Sequence, residues 1–205
     1  MKNFVIYLPK YNTSKTWAAV ARETGCQHGW DIELYEGVDG TTVNDDDAWS
    51  KWGIKINDQD SKCQKLMNRA GVRGCFLSHY NLWHKCVDLN EPIGIFEHDV
   101  KFLTGPPVID SIKDLLKLEG FTENKPRPAG VWYEGARAYI ITPQGANKLI
   151  TWVEKNGCLP ADVIIGANVL SIEFDTSGRV ITVNQPTSRK ERHTNSFTWN
   201  LEGMT

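Results

Sequence analysis

The residues of this chain whose types and spacing could do chemistry are Glu97 and Asp99, at the end of Pro92-Ile-Gly-Ile-Phe-Glu-His-Asp-Val-Lys-Phe102. A short apolar run, Ile93 to Phe96, leads into them. Side chains two apart on an extended strand point to the same face. Glu97 and Asp99 would then converge on one hard cation, with His98 directed the other way. Oxygen ligands suit Mn²⁺ or Mg²⁺, and such a pair can hold the ion against a diphosphate. Taken alone, the tripeptide is also the ordinary pattern of a strand running into a polar loop with two solvated carboxylates.

The flanking elements bear on that choice. Phe4 to Leu8 reads as a buried first strand stopped by Pro9. Thr13 or Ser14 is placed to cap a helix through Trp17 to Thr24. Ile32 to Tyr35 reads as a second strand ending in Glu36-Gly-Val-Asp-Gly40. This opening favours an α/β class with a parallel sheet. Val72, Cys75, Phe76, His79, Leu82, Trp83, Cys86 and Val87 recur at helical spacing, in a helix ending near Asn90. Periodicity alone makes His79 a core histidine and Cys75 a small core residue. Glu91-Pro92 breaks that helix, so Glu97 and Asp99 fall at the carboxyl end of the next strand, where ligands bind in open α/β sheets.

Further along, Thr104-Gly-Pro-Pro107 reads as a turn into a helix carrying Val108, Ile109, Ile112, Leu115 and Leu116 on one face. Gly130 to Tyr133 and Ala138 to Ile141 read as strands around Glu134-Gly135. Thr142 caps a helix with Pro143 at its first position, and Gly157 closes it. Leu159 to Ile164 begins a short helix with Asp162 near its start. Leu170 to Phe174 and Val180 to Val183 flank Asp175-Thr-Ser-Gly178 as a hairpin.

Composition narrows the function classes. A length of 205 residues suits one domain, residues 1–205, with a sizeable core. A net charge of −2 provides no global basic field for nucleic acid or an anionic membrane. The five cysteines form no C-x-x-C pair, which argues against a disulfide framework or thiolate zinc cluster and fits a reducing cytosol. The first apolar run is too short for a signal peptide, and no stretch reaches the roughly 20 apolar residues of a membrane span.

Gly74-Cys-Phe-Leu-Ser-His79, then Trp83, then Ile95-Phe-Glu-His-Asp-Val100 resemble the family 25 glycosyltransferases of the lipooligosaccharide-biosynthesis type, to which the collagen galactosyltransferases are related. Glu36 to Gly40, Gly135-Ala-Arg-Ala-Tyr-Ile-Ile-Thr-Pro-Gln-Gly145 and Leu159-Pro-Ala-Asp162 follow in the family's order. The resemblance implies a GT-A-type nucleotide-sugar-binding fold with a mostly parallel central sheet, here with a small C-terminal hairpin. It implies transfer of a sugar from a nucleotide-sugar donor, UDP-linked, to an acceptor hydroxyl.

The resemblance assigns Glu97 and Asp99 to Mn²⁺ or Mg²⁺, with His193 of the polar tail as a further ligand. Relatives usually have a third acid where His98 stands. Asp162 is the candidate base and Glu134 the reserve. Leu8, Val38, Asp39, Arg73, Ser78, His79 and Glu97 are the candidate donor-binding residues. The ordinary alternatives are a helix-start Asp for Asp162, a turn residue for Asp39 and a surface arginine for Arg73. The expected acceptor is a saccharide. The chain also looks like a compact, phage-encoded version, acting in the host cytoplasm. In that case a hydroxymethylated base of DNA is the alternative acceptor, with Arg189, Lys190 and Arg192 as its basic cluster. A non-catalytic sugar-nucleotide-binding domain is the other alternative. No obligate protein partner is evident.

Overall fold

A computed structural model describes residues 1–43, 53–59, 61–118, 136–166 and 169–182. Strand β1 (Asn3–Tyr7) leads through helix α1 (Asn12–Gln27) to β2 (Ile32–Glu36). Helices α2 (Ser61–Met67) and α3 (Ala70–Leu89) return the chain to β3 (Ile93–Glu97). Then come β4 (Val100–Phe102), β5 (Leu115–Lys117), β6 (Ala138–Ile141), α4 (Pro143–Asn156), α5 (Ala161–Ile165), β7 (Ile172–Phe174) and β8 (Val180–Thr182). Six strands form one sheet in the order β2-β1-β3-β6-β5-β7, and β4 pairs with β8 in a second. β1 is parallel to both β2 and β3, and β5 is parallel to β7, while β6 runs antiparallel to β3 and β5. The architecture is therefore α/β with a mixed, mostly parallel sheet.

Both faces of this sheet are covered, which is why its central strands read as continuous apolar runs. Alternate residues enter two different layers. Phe4, Ile6, Ile93, Ile95, Tyr139 and Ile141 join the layer built on α3, α4 and α5. Val5, Phe96, Ala138 and Ile140 join the layer containing Ala18 and Ala21 of α1. The connections flanking β1 thus lie on opposite faces, and the carboxyl ends of β1 and β3 meet where they diverge. Continuing the alternation of Ile93 and Ile95 sends Glu97 toward α3.

Several local signals act as read from the sequence. Thr142 Oγ1 accepts the Gly145 N–H at 3.1 Å, and Pro143 opens α4. Gly157 ends that helix at φ 84°, in the left-handed region. Asn90 ends α3 at φ 51°, which asparagine tolerates, and Pro92 follows.

Four expectations are corrected. Neither Thr13 nor Ser14 caps α1. The helix starts one turn earlier than read, with Tyr11 as N-cap, and Ser14 Oγ instead accepts the Leu8 N–H at 2.9 Å. The helix expected over Val108 to Leu116 is absent. Val108 is 82% exposed, and the adjacent Leu115 and Leu116 enter opposite layers as neighbours in β5. One helix face cannot deliver adjacent residues that way. The expected C-terminal hairpin is also absent, because β7 pairs with β5 and β8 with β4. The Asp175–Gly178 turn forms, with Asp175 Oδ1 accepting the Ser177 N–H at 3.1 Å, but it connects two sheets. Finally, the strand ends at Glu97, and His98 and Asp99 form a turn before β4. Strand alternation therefore does not reach Asp99. All five cysteines are free, and no helix of the described residues is long and apolar enough to cross a membrane.

Candidate functional site

Glu97 is the residue around which the polar groups gather. Its backbone N–H donates to Arg137 O at 2.8 Å, which fixes the strand end against the start of β6. Its side chain faces the first turns of α3. Glu97 Oε1 lies 3.8 Å from Cys75 Sγ and 3.8 Å from His79 Nε2. Cys75 and His79 are four apart on a helix and so share a face. At 3.8 Å the imidazole is beyond a well-formed hydrogen bond to Glu97.

His79 is fully buried, and its other ring nitrogen is held. Nδ1 lies 2.8 Å from Tyr139 Oη, which also accepts the Trp83 Nε1–H at 2.9 Å. With two lone pairs and one proton, that oxygen holds both the Trp83 N–H and the Nδ1 side of the ring, which leaves the other imidazole nitrogen facing Glu97. Burial pushes the Tyr139 hydroxyl well above its ordinary pKa and keeps it neutral.

Burial alone would push the Glu97 carboxyl up. The proximity of His79, with the charges of Arg137 and His98, outweighs that and holds its pKa below the ordinary value. Asp162, near the start of α5, is shifted the opposite way. Burial raises its pKa and the Glu97 charge adds to the rise, against the Val163 N–H that donates to Asp162 Oδ1 at 3.0 Å. Two acids with opposed shifts in one neighbourhood are the usual basis of divided roles, one staying ionised and one exchanging a proton. The same burial, with the charges of Glu97 and Asp162, pushes the Cys75 thiol well above its ordinary pKa. Burial lowers the His98 pKa against the pull of Glu97.

The remaining candidates form the rim and its supports. Ser78 Oγ donates to Gly74 O of its own helix at 2.7 Å and accepts the Val38 N–H at 2.8 Å, which holds the loop after β2 against α3. Close backbone approach requires glycine on both sides of that contact. A Cβ on Gly40 would meet Ala70 O at 1.7 Å, and one on Gly74 would meet Val38 O at 2.4 Å. Asp39 accepts from the Thr41 N–H at 2.9 Å, the Thr41 hydroxyl at 2.6 Å and Lys10 Nζ at 3.2 Å. Burial opposes ionisation of Asp39, but these donors win and lower its pKa. The loops after β1 and β2 are thereby joined. Leu8 lies in the first loop, with its N–H on Ser14 and its carbonyl accepting the Tyr11 N–H at 3.1 Å. Arg73 Nη1 donates to Asn68 O at 2.9 Å, within its own helix start.

The structure thus brings together Glu97, His79 and Asp162, with Asp99 in the adjoining turn. Glu134, His193 and the Arg189, Lys190, Arg192 cluster lie outside the described residues, as does the strand expected at Gly130 to Tyr133. Sequence reading missed Cys75, Tyr139 and Arg137 as members of this neighbourhood. The four-residue spacing of Cys75 and His79 was the usable signal for the first. Nothing local marked the others, because Tyr139 lies in β6 and Arg137 just before it, several elements beyond Glu97 along the chain.

Glu97, an ionised carboxylate at a strand end, is the type of oxygen ligand a hard divalent cation takes, and Asp99 lies two residues on, in the following turn.

Comparison with known proteins adds the lineage. A glycosyltransferase 25 family member of Anopheles gambiae is 26% identical over 169 residues, covering 72% of this chain and 28% of that protein. Procollagen galactosyltransferase 1-A of Xenopus laevis is 36% identical over 75 residues, covering 35% of this chain and 12% of that protein. The chain therefore spans less than a third of the length of the curated relatives it matches. Among solved structures it is similar, at TM-score 0.47 and 11% identity, to the galactosyltransferase LgtC in complex with donor and acceptor sugar analogs, over 99% of this chain and 93% of that one. It has the same TM-score, 0.47, at 7% identity, with a glycosyltransferase involved in glycosylation of the major capsid of PBCV-1, over 95% of this chain and 98% of that one. The model of glycosyltransferase family 25 (LPS biosynthesis protein) matches residues 1–125, from β1 through the Glu97 strand end and beyond, and on that match the chain belongs to this family.

Proposed function

We propose that this chain transfers a sugar from a nucleoside-diphosphate sugar to an acceptor hydroxyl, with a divalent cation held by Glu97 and Asp99. The observation that carries the proposal is Glu97 at the carboxyl end of β3, 3.8 Å from His79 and within electrostatic reach of Asp162, in a chain of family 25. The name of the matched procollagen galactosyltransferase makes a galactose nucleotide, UDP-linked by the family resemblance, the first donor to try, and a saccharide is the first acceptor on that resemblance.

The chemistry follows from the residues. The bond between the anomeric carbon and the phosphate oxygen breaks, and the acceptor oxygen bonds that carbon. When bound, Mn²⁺ or Mg²⁺ supplies positive charge to the departing diphosphate. Glu97 stays ionised and orients toward His79, whose ring is fixed by Tyr139. Arg137 contributes further positive charge beside it. Asp162, whose proton affinity burial raises, takes the proton from the acceptor hydroxyl. Asp39 and Val38 border the donor side, in a loop held by Ser78. The proposed setting is the cytoplasm.

The test is transfer from a panel of nucleotide sugars with Mn²⁺, comparing wild type with Asp99→Asn and Glu97→Gln. Both variants should lose at least about a hundredfold in turnover, on the scale of removing a single electrostatic stabiliser. Undiminished, EDTA-resistant turnover in either variant would refute the metal role. Donor binding with no transfer to any acceptor would support the non-catalytic alternative.

A further inference from the structure

We infer that Cys75, His79 and Glu97 form a three-ligand site for a thiophilic divalent cation of the Zn²⁺ class. One ligand atom from each, Sγ, a ring nitrogen and a carboxylate oxygen, lies within 4.8 Å of the other two. The two measured separations from Glu97 Oε1 are both 3.8 Å. Tetrahedral zinc, with bonds of about 2.0–2.3 Å, holds its ligand atoms roughly 3.3–3.6 Å apart. The two contacts to Glu97 therefore need only a few tenths of an ångström to close on an ion, and the Cys75–His79 pair, within 4.8 Å, at most about an ångström of side-chain movement.

A second observation points the same way. His79 is 0% exposed, and among the described residues its Nε2 makes no hydrogen bond. A buried ring nitrogen aimed at a thiol and a carboxylate is costly unless something binds it. The opposite nitrogen has the arrangement that metal-bound histidines favour. Nδ1 sits 2.8 Å from Tyr139 Oη, which Trp83 Nε1 holds from behind at 2.9 Å. In the tautomer in which Nδ1–H donates to Tyr139 Oη, whose second lone pair takes the Trp83 N–H, these outer contacts aim the ring and present the lone pair on Nε2 without searching rotamers.

The ligand set also decides which ion. One thiolate, one imidazole and one carboxylate favour Zn²⁺ or Co²⁺, whereas Mg²⁺ and Mn²⁺ prefer oxygen. Binding replaces the Cys75 thiol proton by the metal–sulfur bond and releases that proton to solvent. Thiolate and carboxylate then neutralise the dication, leaving no net charge in a half-buried place. The Glu97 side chain keeps 29% exposure, which gives solvent access to the cluster and leaves a fourth position for water. Glu97 belongs to both this set and the oxygen pair with Asp99. A thiophilic ion would therefore compete with the hard one, a consequence that rests on the proposed transfer function. Binding itself does not.

Cobalt is the probe, because a thiolate bond to Co²⁺ produces a sulfur-to-metal charge-transfer absorption. The chelator-stripped full chain, titrated anaerobically with Co²⁺, should develop that band to a plateau at one equivalent, and Zn²⁺ should abolish it. Cys75→Ser should remove the band, whereas Cys26→Ser, at an exposed thiol, should keep it. Tyr139→Phe should keep the thiolate band but weaken Co²⁺ binding about tenfold or more. Glu97→Gln, which leaves the thiol and imidazole in place, should weaken it further. Absence of the band in wild type, its persistence in Cys75→Ser, or unchanged affinity in Glu97→Gln would overturn the inference. Circular dichroism of each variant separates loss of binding from loss of fold. Sugar transfer is not needed as a readout, so an inactive chain that still shows the band supports this site while counting against the transferase reading.

Discussion

Two acidic neighbourhoods on the same sheet make opposite use of burial. Asp114, just before β5, is fully buried and fully partnered. Lys148 Nζ donates to Oδ1 at 2.8 Å and to Oδ2 at 2.7 Å, and the Ser171 N–H donates to Oδ2 at 2.8 Å. Burial opposes its charge, yet Lys148 and Ser171 lower its pKa. Its carbonyl also accepts the Thr142 N–H at 3.0 Å, so it ties β5 to the start of α4 and to the approach to β7. Around Glu97 the contacts are longer, at 3.8 Å to Cys75 Sγ and His79 Nε2. Asp162 accepts one neighbouring backbone N–H, and its pKa goes up. The lesson is that a buried acid whose lone pairs are all satisfied holds a fold together, and one left under-satisfied is available to a ligand or a proton.

The sharpest way to break this comparison is to exchange the charge for an amide at each end. Asp162→Asn should cost about 10²–10⁴-fold in kcat, the range of a general base. Its thermal midpoint should hold or rise, because the ionised acid is disfavoured where it sits. A fall in the midpoint with activity intact would make Asp162 structural. Asp114→Ala should do the reverse. It should lose about 3 kcal/mol of stability in urea unfolding, at the low end for a broken buried pair because Lys148 is 35% exposed, with kcat unchanged in the folded fraction. Tyr139→Phe sits between them. It removes the hydroxyl that holds His79 Nδ1 and accepts from Trp83, and should cost about 2 kcal/mol in the same measurement.

The smallest expected effect is in the pH profile of stability. Asp114 has a depressed folded pKa, so its contribution is complete above the ordinary carboxylate value and is lost as pH falls through the lower folded one. Asp162 has a raised folded pKa, so the protonated folded form is favoured at low pH, and that contribution is lost as pH rises through the raised value. Denaturant midpoints across the acid range should therefore flatten on the acid side in Asp114→Asn. They should lose the opposing fall with rising pH in Asp162→Asn. Identical profiles in the two variants would erase the distinction.

Much of the fold was legible because its signals are local. Apolar runs marked β1, β3 and β6, the Thr142-Pro143 pair marked α4, and Asn90 with Pro92 marked the end of α3. What failed was pairing. The turn at Asp175 to Gly178 is correct as a turn, but the strands on either side find partners from distant segments, and no turn residue specifies that. The apolar spacing from Val108 to Leu116 matched a helix only because sparse positions fit more than one period. In the site, Glu97 was legible from its strand, whereas the place of Cys75 was not. Periodicity reports that a residue faces inward, not that a carboxylate waits there.

By itself the amino-acid sequence determined the α/β class, the acidic strand end and the family motifs around Gly74 to His79. Those depend on residue order, strand period and helix period, all of which act over a few residues. Only the tertiary structure decided that the chain turns at His98, that Asp114 is a strut, and that Cys75, His79, Tyr139 and Asp162 surround Glu97. These are outcomes of long-range packing. Parallel β1 and β3, with antiparallel β6 beside them, bring far-separated residues to one end of one sheet, where burial raises the Asp162 pKa while His79 and Arg137 hold that of Glu97 down.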